Sequence, residues 1–186
     1  EIKTLASLCG TQEKNSGNMA VSDTMDVEKI TDKSDHCGKI TGIDGSGRGV
    51  DADNADTVTE ENLAQHISNA KMLSKKLQTI VAITGAIDLV TDGSSCYVIR
   101  NGNPQMGHVT GAGCQLSGIL TAFLAANPEN KLQAAAAAVC MMGYAGELAA
   151  EKSGQSGSGT YRVSLMDAVS CMDGDILERG ARYEIR

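Results

Sequence analysis

Val109-Thr110-Gly111-Ala112-Gly113-Cys114, followed directly by an apolar run, is the segment of this chain best suited to chemistry. Two glycines just ahead of a helix let the backbone turn sharply and aim several N–H groups at one point, where the helix dipole adds partial positive charge. The product is an anion hole, suited to the charge on a transferring phosphoryl group. It matches neither common phosphate motif: the third glycine falls at Gly118, too late for the dinucleotide fingerprint, and no P-loop lysine follows. A glycine turn that merely starts a helix is the plain alternative.

Cys114 falls in the first turn of that helix, where the positive end of the dipole favours thiolate. It could act as a base on, or a polar contact to, a substrate hydroxyl; a buried structural cysteine is the competing reading. Thr84-Gly85 ends a β-branched run. Ligands bind at the C-terminal ends of strands in open α/β sheets, so the Thr84 hydroxyl could meet a phosphate there. A plain strand-ending turn fits these two residues equally well. His108 reads as structural or solvent-facing, and His36 and His66 show no metal-ligand spacing. The acidic run Asp51-Ala52-Asp53-Asn54-Ala55-Asp56 fails as an EF-hand loop, because its sixth position is Asp56 rather than glycine and its twelfth is Asn62.

These residues need elements to position them. Thr57-Val58-Thr59-Glu60 matches a capping box, and Leu63, Ile67, Ala70 and Leu77 recur at helical spacing, predicting a helix from about 58 to 77. Thr79–Ile83 reads as a buried strand. Asp88–Thr91 and Ser95–Arg100, with Asp92-Gly93 between them, form a hairpin pattern, and Asn101-Gly102 makes a second turn. Helices are predicted over 113–126, stopped by Asn127-Pro128, then over an alanine-dominated 130–152, and over 160–172 and 173–181, with a further strand at Tyr183-Glu184-Ile185. A helix, a strand and hairpin, then a run of helices indicate a layered α/β fold. Residues 9–50 are rich in Ser, Gly, Asp, Asn, Lys and Thr and read as a long loop or flexible insertion.

Composition narrows the function classes. The 186 residues suffice for one domain with a real core, and with no Trp, one Phe and four Tyr that core must be aliphatic. A net charge of −7 leaves no basic footprint for nucleic acid. No run of 18 apolar residues predicts a membrane span. The six cysteines are widely spaced without a C-x-x-C pair, which argues against structural zinc and fits a reducing cytoplasm. Glu1-Ile2-Lys3-Thr4-Leu5-Ala6 reads as the inside of a helix, so further protein is expected ahead of it.

Taken together, Val81-Ala82-Ile83-Thr84-Gly85-Ala86-Ile87-Asp88, Thr91-Asp92-Gly93, Val98-Ile99-Arg100-Asn101-Gly102-Asn103-Pro104 and Val109-Thr110-Gly111-Ala112-Gly113-Cys114 resemble the hydroxyethylthiazole kinase family. Gly143-Tyr144-Ala145-Gly146-Glu147, Tyr161-Arg162-Val163 and Leu165-Met166-Asp167-Ala168 fit the same family. The resemblance covers about 48–186 well, plus the first few residues. It implies a ribokinase-like three-layer α/β/α fold, with residues 1–186 as the C-terminal part of a single kinase domain and 9–47 as an insertion longer than the family's usual loop. It implies transfer of the ATP γ-phosphate to the hydroxyethyl group of 4-methyl-5-(2-hydroxyethyl)thiazole, a step of thiamine salvage, with Mg²⁺, in a homotrimer whose thiazole site lies at subunit boundaries.

Residue by residue, the resemblance implies that Thr84 contacts the nucleotide and Gly111 the substrate. Cys114 stands where the wider superfamily has a catalytic aspartate, and Ala112 and Gly113 complete the catalytic anion hole. Glu1 matches a glutamate linked to the metal. Other small-molecule kinases of the superfamily, ATP-dependent hydrate dehydratases and a non-catalytic truncated fragment are the alternatives. Cys114 in place of aspartate argues against the first two.

Overall fold

The computed structural model describes residues 58–186. The stretch 9–47, the acidic run 51–56, Thr57 and Glu1 lie outside the described residues. Helix α1 spans Leu63–Leu77 and buries Leu63, Ile67, Ala70 and Ser74. It begins later than the capping-box reading placed it. The Glu60 carboxylate reaches Arg100 at 2.8 Å instead of turning back on the helix start, and Asn62 Oδ1 accepts the Thr59 N–H at 2.8 Å, so this stretch forms a turn. Leu77, expected on the buried face, is 52% exposed, and Ser74 takes the inward position.

Four strands follow: β1 (Val81–Ile83), β2 (Asp88–Thr91), β3 (Cys96–Ile99) and β4 (Tyr183–Ile185), in antiparallel sheet order β1-β2-β3-β4. The β2–β3 hairpin pairs Asp88 with Ile99 and Thr91 with Cys96. Its four-residue loop is held by Asp92 Oδ1, which accepts the Ser94 and Ser95 N–H groups at 2.8 and 2.9 Å. Gly93 sits there at φ 90°, a conformation that favours glycine. Strand β1, expected to be buried, lies at the edge of the described sheet and is half-exposed, because β2 covers one side of it alone.

Side-chain alternation sorts the two central strands into two cores. Leu89, Cys96 and Val98 pack with Leu63 and Ile67 of α1. Val90, Tyr97 and Ile99 face the opposite way, onto Ala134–Cys140 of helix α3. Helices therefore cover both faces of the sheet, which is the expected α/β/α layering. Both faces being covered also explains why β2 and β3 are buried at every position.

The remaining helices are α2 (Ala112–Ala126), α3 (Lys131–Ser153), α4 (Ser158–Cys171) and α5 (Gly174–Gly180), with a short 3-10 turn at Pro104–His108 that the sequence pattern did not reveal. Helix α3 is long and apolar enough to cross a membrane by length and composition, yet most of it is buried as the core helix of this fold. Its small residues permit close approach. A Cβ at Gly143 would fall 2.6 Å from the Asn101 carbonyl oxygen, and one at Gly146 would strike the Met106 side chain.

Candidate phosphate site

Helix α2 starts at the glycine turn. Gly111 is its N-cap at φ 89°, in the left-handed region that a side chain disfavours. The Ala112 N–H donates to the Val109 carbonyl at 3.2 Å and the Gln115 N–H to the Gly111 carbonyl at 3.0 Å. Between them, the N–H groups of Gly113 and Cys114 have no acceptor among the described residues. A Ser, Thr or Asp at the cap would have satisfied one of them internally. Glycine leaves both open, at the positive end of a 15-residue helix, an arrangement suited to an anion. Gly111, Gly113 and Cys114 are exposed, whereas Val109 is buried against Met142, Tyr161 and Leu165 and anchors the turn.

Cys114 is a free, exposed cysteine. This places it beside the open amides and sets aside the buried alternative. A Cβ at Gly113 would meet nothing within 4 Å, so packing among the described residues leaves that side open. His108 is exposed, as expected.

Thr84 lies in the 84–87 turn between β1 and β2 and is exposed. With Ile83 opposite Leu89 and Asp88 opposite Ile99, this turn emerges at the same end of the sheet as the segment leaving β3 toward Gly111. Among the described residues no hydrogen bond joins Thr84 to the 111–114 segment. The structure thus gathers Gly111, Ala112, Gly113 and Cys114 at one helix start and sets Thr84 on a separate turn at that end of the sheet.

Two further groups went unread in the sequence. Asp88, only 8% exposed, accepts the Gly85 N–H at 2.8 Å, and burial pushes its carboxyl up to about 6. Its signal was a carboxylate at the head of a strand that is buried on both faces. The second group is centred on Asn101. Its amide nitrogen donates to Glu147 Oε1 at 3.0 Å and to the Gly180 carbonyl at 2.8 Å, while its Oδ1 accepts the Arg182 N–H at 2.7 Å. Glu147 Oε1 also accepts the Gly102 N–H at 2.8 Å. The Cys140 thiol donates to Asn101 Oδ1 at 3.1 Å, and burial pushes it up to about 12. Cys140 is therefore a buried thiol that serves as a hydrogen-bond donor as well as a small apolar group. Together these contacts hold the start of the loop that leads to Gly111.

A bound metal needs several convergent ligands. Among the described residues no group of three or more His, Cys, Asp or Glu side chains could hold one. They do not form an Mg²⁺ site of their own, and Glu1, the metal-linked position the resemblance implies, lies outside them.

Comparisons with known proteins point to one family. The model of the Hydroxyethylthiazole kinase family matches residues 8–175. A Clostridium acetobutylicum protein named hydroxyethylthiazole kinase is 46% identical over 141 residues, covering 75% of this chain and 52% of the relative. One from Ruminiclostridium cellulolyticum is 32% identical over 169 residues, covering 91% of this chain and 60% of the relative. The solved structure of a hydroxyethylthiazole kinase protein from Pyrococcus horikoshii OT3 superposes with a TM-score of 0.61 at 28% identity, covering 68% of this chain and 48% of that one. The chain spans about half the length of the curated relatives it matches.

Proposed function

Since this chain belongs to the hydroxyethylthiazole kinase family, we propose that the protein carrying it transfers the ATP γ-phosphate to the primary alcohol of 4-methyl-5-(2-hydroxyethyl)thiazole, in thiamine salvage. The observation that carries this reading is the pair of unsatisfied amides at Gly113 and Cys114 behind a glycine cap. Phosphoryl transfer asks the protein for positioning and charge stabilisation. The alcohol oxygen attacks the γ-phosphorus in line, the bond to the β-phosphate oxygen breaks, and ADP leaves. The amides bind the phosphoryl oxygens as charge spreads over them. Cys114, beside those amides, accepts or orients the hydroxyl proton of the attacking alcohol. Thr84 holds a nucleotide phosphate, and Gly111 lets the substrate approach the backbone closely.

Mg²⁺ accompanies the nucleotide in this reading. The protein is a homotrimer with the thiazole at subunit boundaries, and residues 1–186 are the C-terminal part of its kinase domain. The four free cysteines among the described residues suit a reducing cytoplasm. The test is transfer of label from γ-labelled ATP by the full-length protein to a panel of small alcohols. Labelled thiazole phosphate is the expected product. Transfer to a pyrimidine or a sugar, with none to the thiazole, would overturn the reading.

A further inference from the structure

The 84–87 turn joins a three-residue, half-exposed edge strand to a strand buried at every position. Its far end is anchored by Ile87, which packs with Leu63 and Leu89. Its near end, Thr84 to Ala86, is exposed, and the Thr84 hydroxyl makes no hydrogen bond among the described residues. One side-chain hydrogen bond closes the turn: Asp88 Oδ1 accepts the Gly85 N–H at 2.8 Å.

Gly85 has no positive φ, and a Cβ there would meet nothing within 4 Å. Neither backbone conformation nor packing among the described residues therefore calls for glycine at this position. Close approach of a ligand to the turn would.

We propose that Asp88 is the positioning residue of this turn, clamping the Gly85 N–H so that the preceding Thr84 hydroxyl is held ready for a nucleotide phosphate. This rests on the kinase reading above.

The choice of a carboxylate has a physical cost. Asp88 is buried, and no cation pairs with it among the described residues. The Cys140 thiol of α3 is near enough to feel the Asp88 charge and offers no compensating positive charge. A buried unpaired carboxylate destabilises a fold. In return, a hydrogen bond to an ionised acceptor is roughly twice as strong as a neutral one, so the turn is held more rigidly. Such an exchange of stability for order is expected where a ligand must find its contacts already in place.

The experiment compares Asp88→Leu and Asp88→Asn in the full-length protein. Leucine shares the branched shape of aspartate, is bulkier and suits an apolar site, and it removes both acceptor oxygens; a melting curve on each variant shows that the fold is kept. Asparagine keeps one acceptor oxygen for the Gly85 N–H. KM for ATP, KM for the alcohol and kcat are measured, with a direct ATP-binding titration alongside. Asp88→Leu should raise both the Kd and the KM for ATP about tenfold, the equivalent of one lost charge-assisted hydrogen bond, and leave KM for the alcohol within about twofold. Asp88→Asn should bring the ATP values back to within about threefold of the parent. A folded Asp88→Leu protein that binds ATP as the parent does would overturn the proposal and leave the kinase reading standing. So would an Asp88→Asn protein as weak as Asp88→Leu. Failure of the parent itself to bind or use ATP would remove the kinase reading, and this inference with it.

Discussion

Arg182 grips Glu147 with both terminal nitrogens, Nη1 to Oε2 and Nη2 to Oε1, each at 2.8 Å. The pair joins the start of β4 to α3, and its carboxylate simultaneously receives the Asn101 side chain and the Gly102 backbone. The two partners are unequal: the Arg182 side chain is 54% exposed and that of Glu147 17%. Glu147→Ala strands Gly102 and removes one Asn101 contact as well as the arginine, and should cost about 2–3 kcal/mol. Arg182→Ala leaves the carboxylate with its other donors and should cost about 1 kcal/mol or less. Urea unfolding of the two variants checks the order; equal losses would show that the loop contacts contribute nothing.

Asp88 makes stability depend on pH in a direction opposite to that of a salt-bridged carboxylate. Its folded value of about 6 lies above its ordinary value of 3.8. Below the ordinary value both folded and unfolded chains carry the proton, and the group contributes no pH dependence. As pH rises through the interval, the folded chain holds a proton that the unfolded chain has released, so stability falls, and the loss is complete above about 6. Its size is on the order of 3 kcal/mol. Asp88→Asn should therefore be more stable than the parent at pH 7, with the gap closing toward pH 4. Denaturant titrations across that range check this, and a gap that does not change with pH would contradict it.

Gly111 and Gly113 should fail for different reasons. Gly111 sits at φ 89°, so Gly111→Ala strains the backbone and should cost about 1 kcal/mol or more. Gly113 lies inside α2 with open space around its Cβ position. Gly113→Val should therefore fold with nearly unchanged stability, while its side chain keeps phosphoryl oxygens from the amides. Loss of one such donor lowers turnover about 10²–10³-fold. Melting curves and kcat on the same preparations separate the two effects. A Gly113→Val protein with parental turnover would remove the anion hole from the mechanism.

Cys114 is exposed, so Cys114→Ala should leave stability within about 0.5 kcal/mol. It should lower turnover with little change in ATP binding. Cys114→Asp should keep or improve activity, because an exposed carboxylate is ionised at neutral pH and a helix N-terminus favours negative charge. Steady-state kinetics on the two variants decide the matter. If Asp abolishes activity while Ala is harmless, the thiol neither orients nor deprotonates the alcohol.

Much of this architecture was legible because it rests on local patterns. The β2–β3 hairpin, the glycine turn before α2 and the alanine-rich α3 were each marked by short-range residue choice. What escaped depended on partners distant in the chain. Glu60 looked like a capping residue until Arg100, forty positions later, claimed its carboxylate. Thr79–Ile83 looked buried because β-branched residues suit a core, but its place at the edge of the described sheet is decided by pairing order. Asn101-Gly102 looked like a simple turn. Its amide is a hub because Glu147, Gly180 and Arg182 converge on it, and no local pattern announces that convergence.

Gly143 seats the Asn101 carbonyl and Gly146 seats Met106, so α3 supplies both the packed interior and the bed of the loop leading to the glycine turn. In an ordinary helix, exchanging glycine for alanine is a routine route to a hardier protein. On α3 the same exchange would wedge the loop off its bed and displace the glycine turn before it gained any heat resistance. Attempts to toughen this protein should leave those two positions alone and begin on the solvent-facing side of α1, which bears on neither the interior nor the turn.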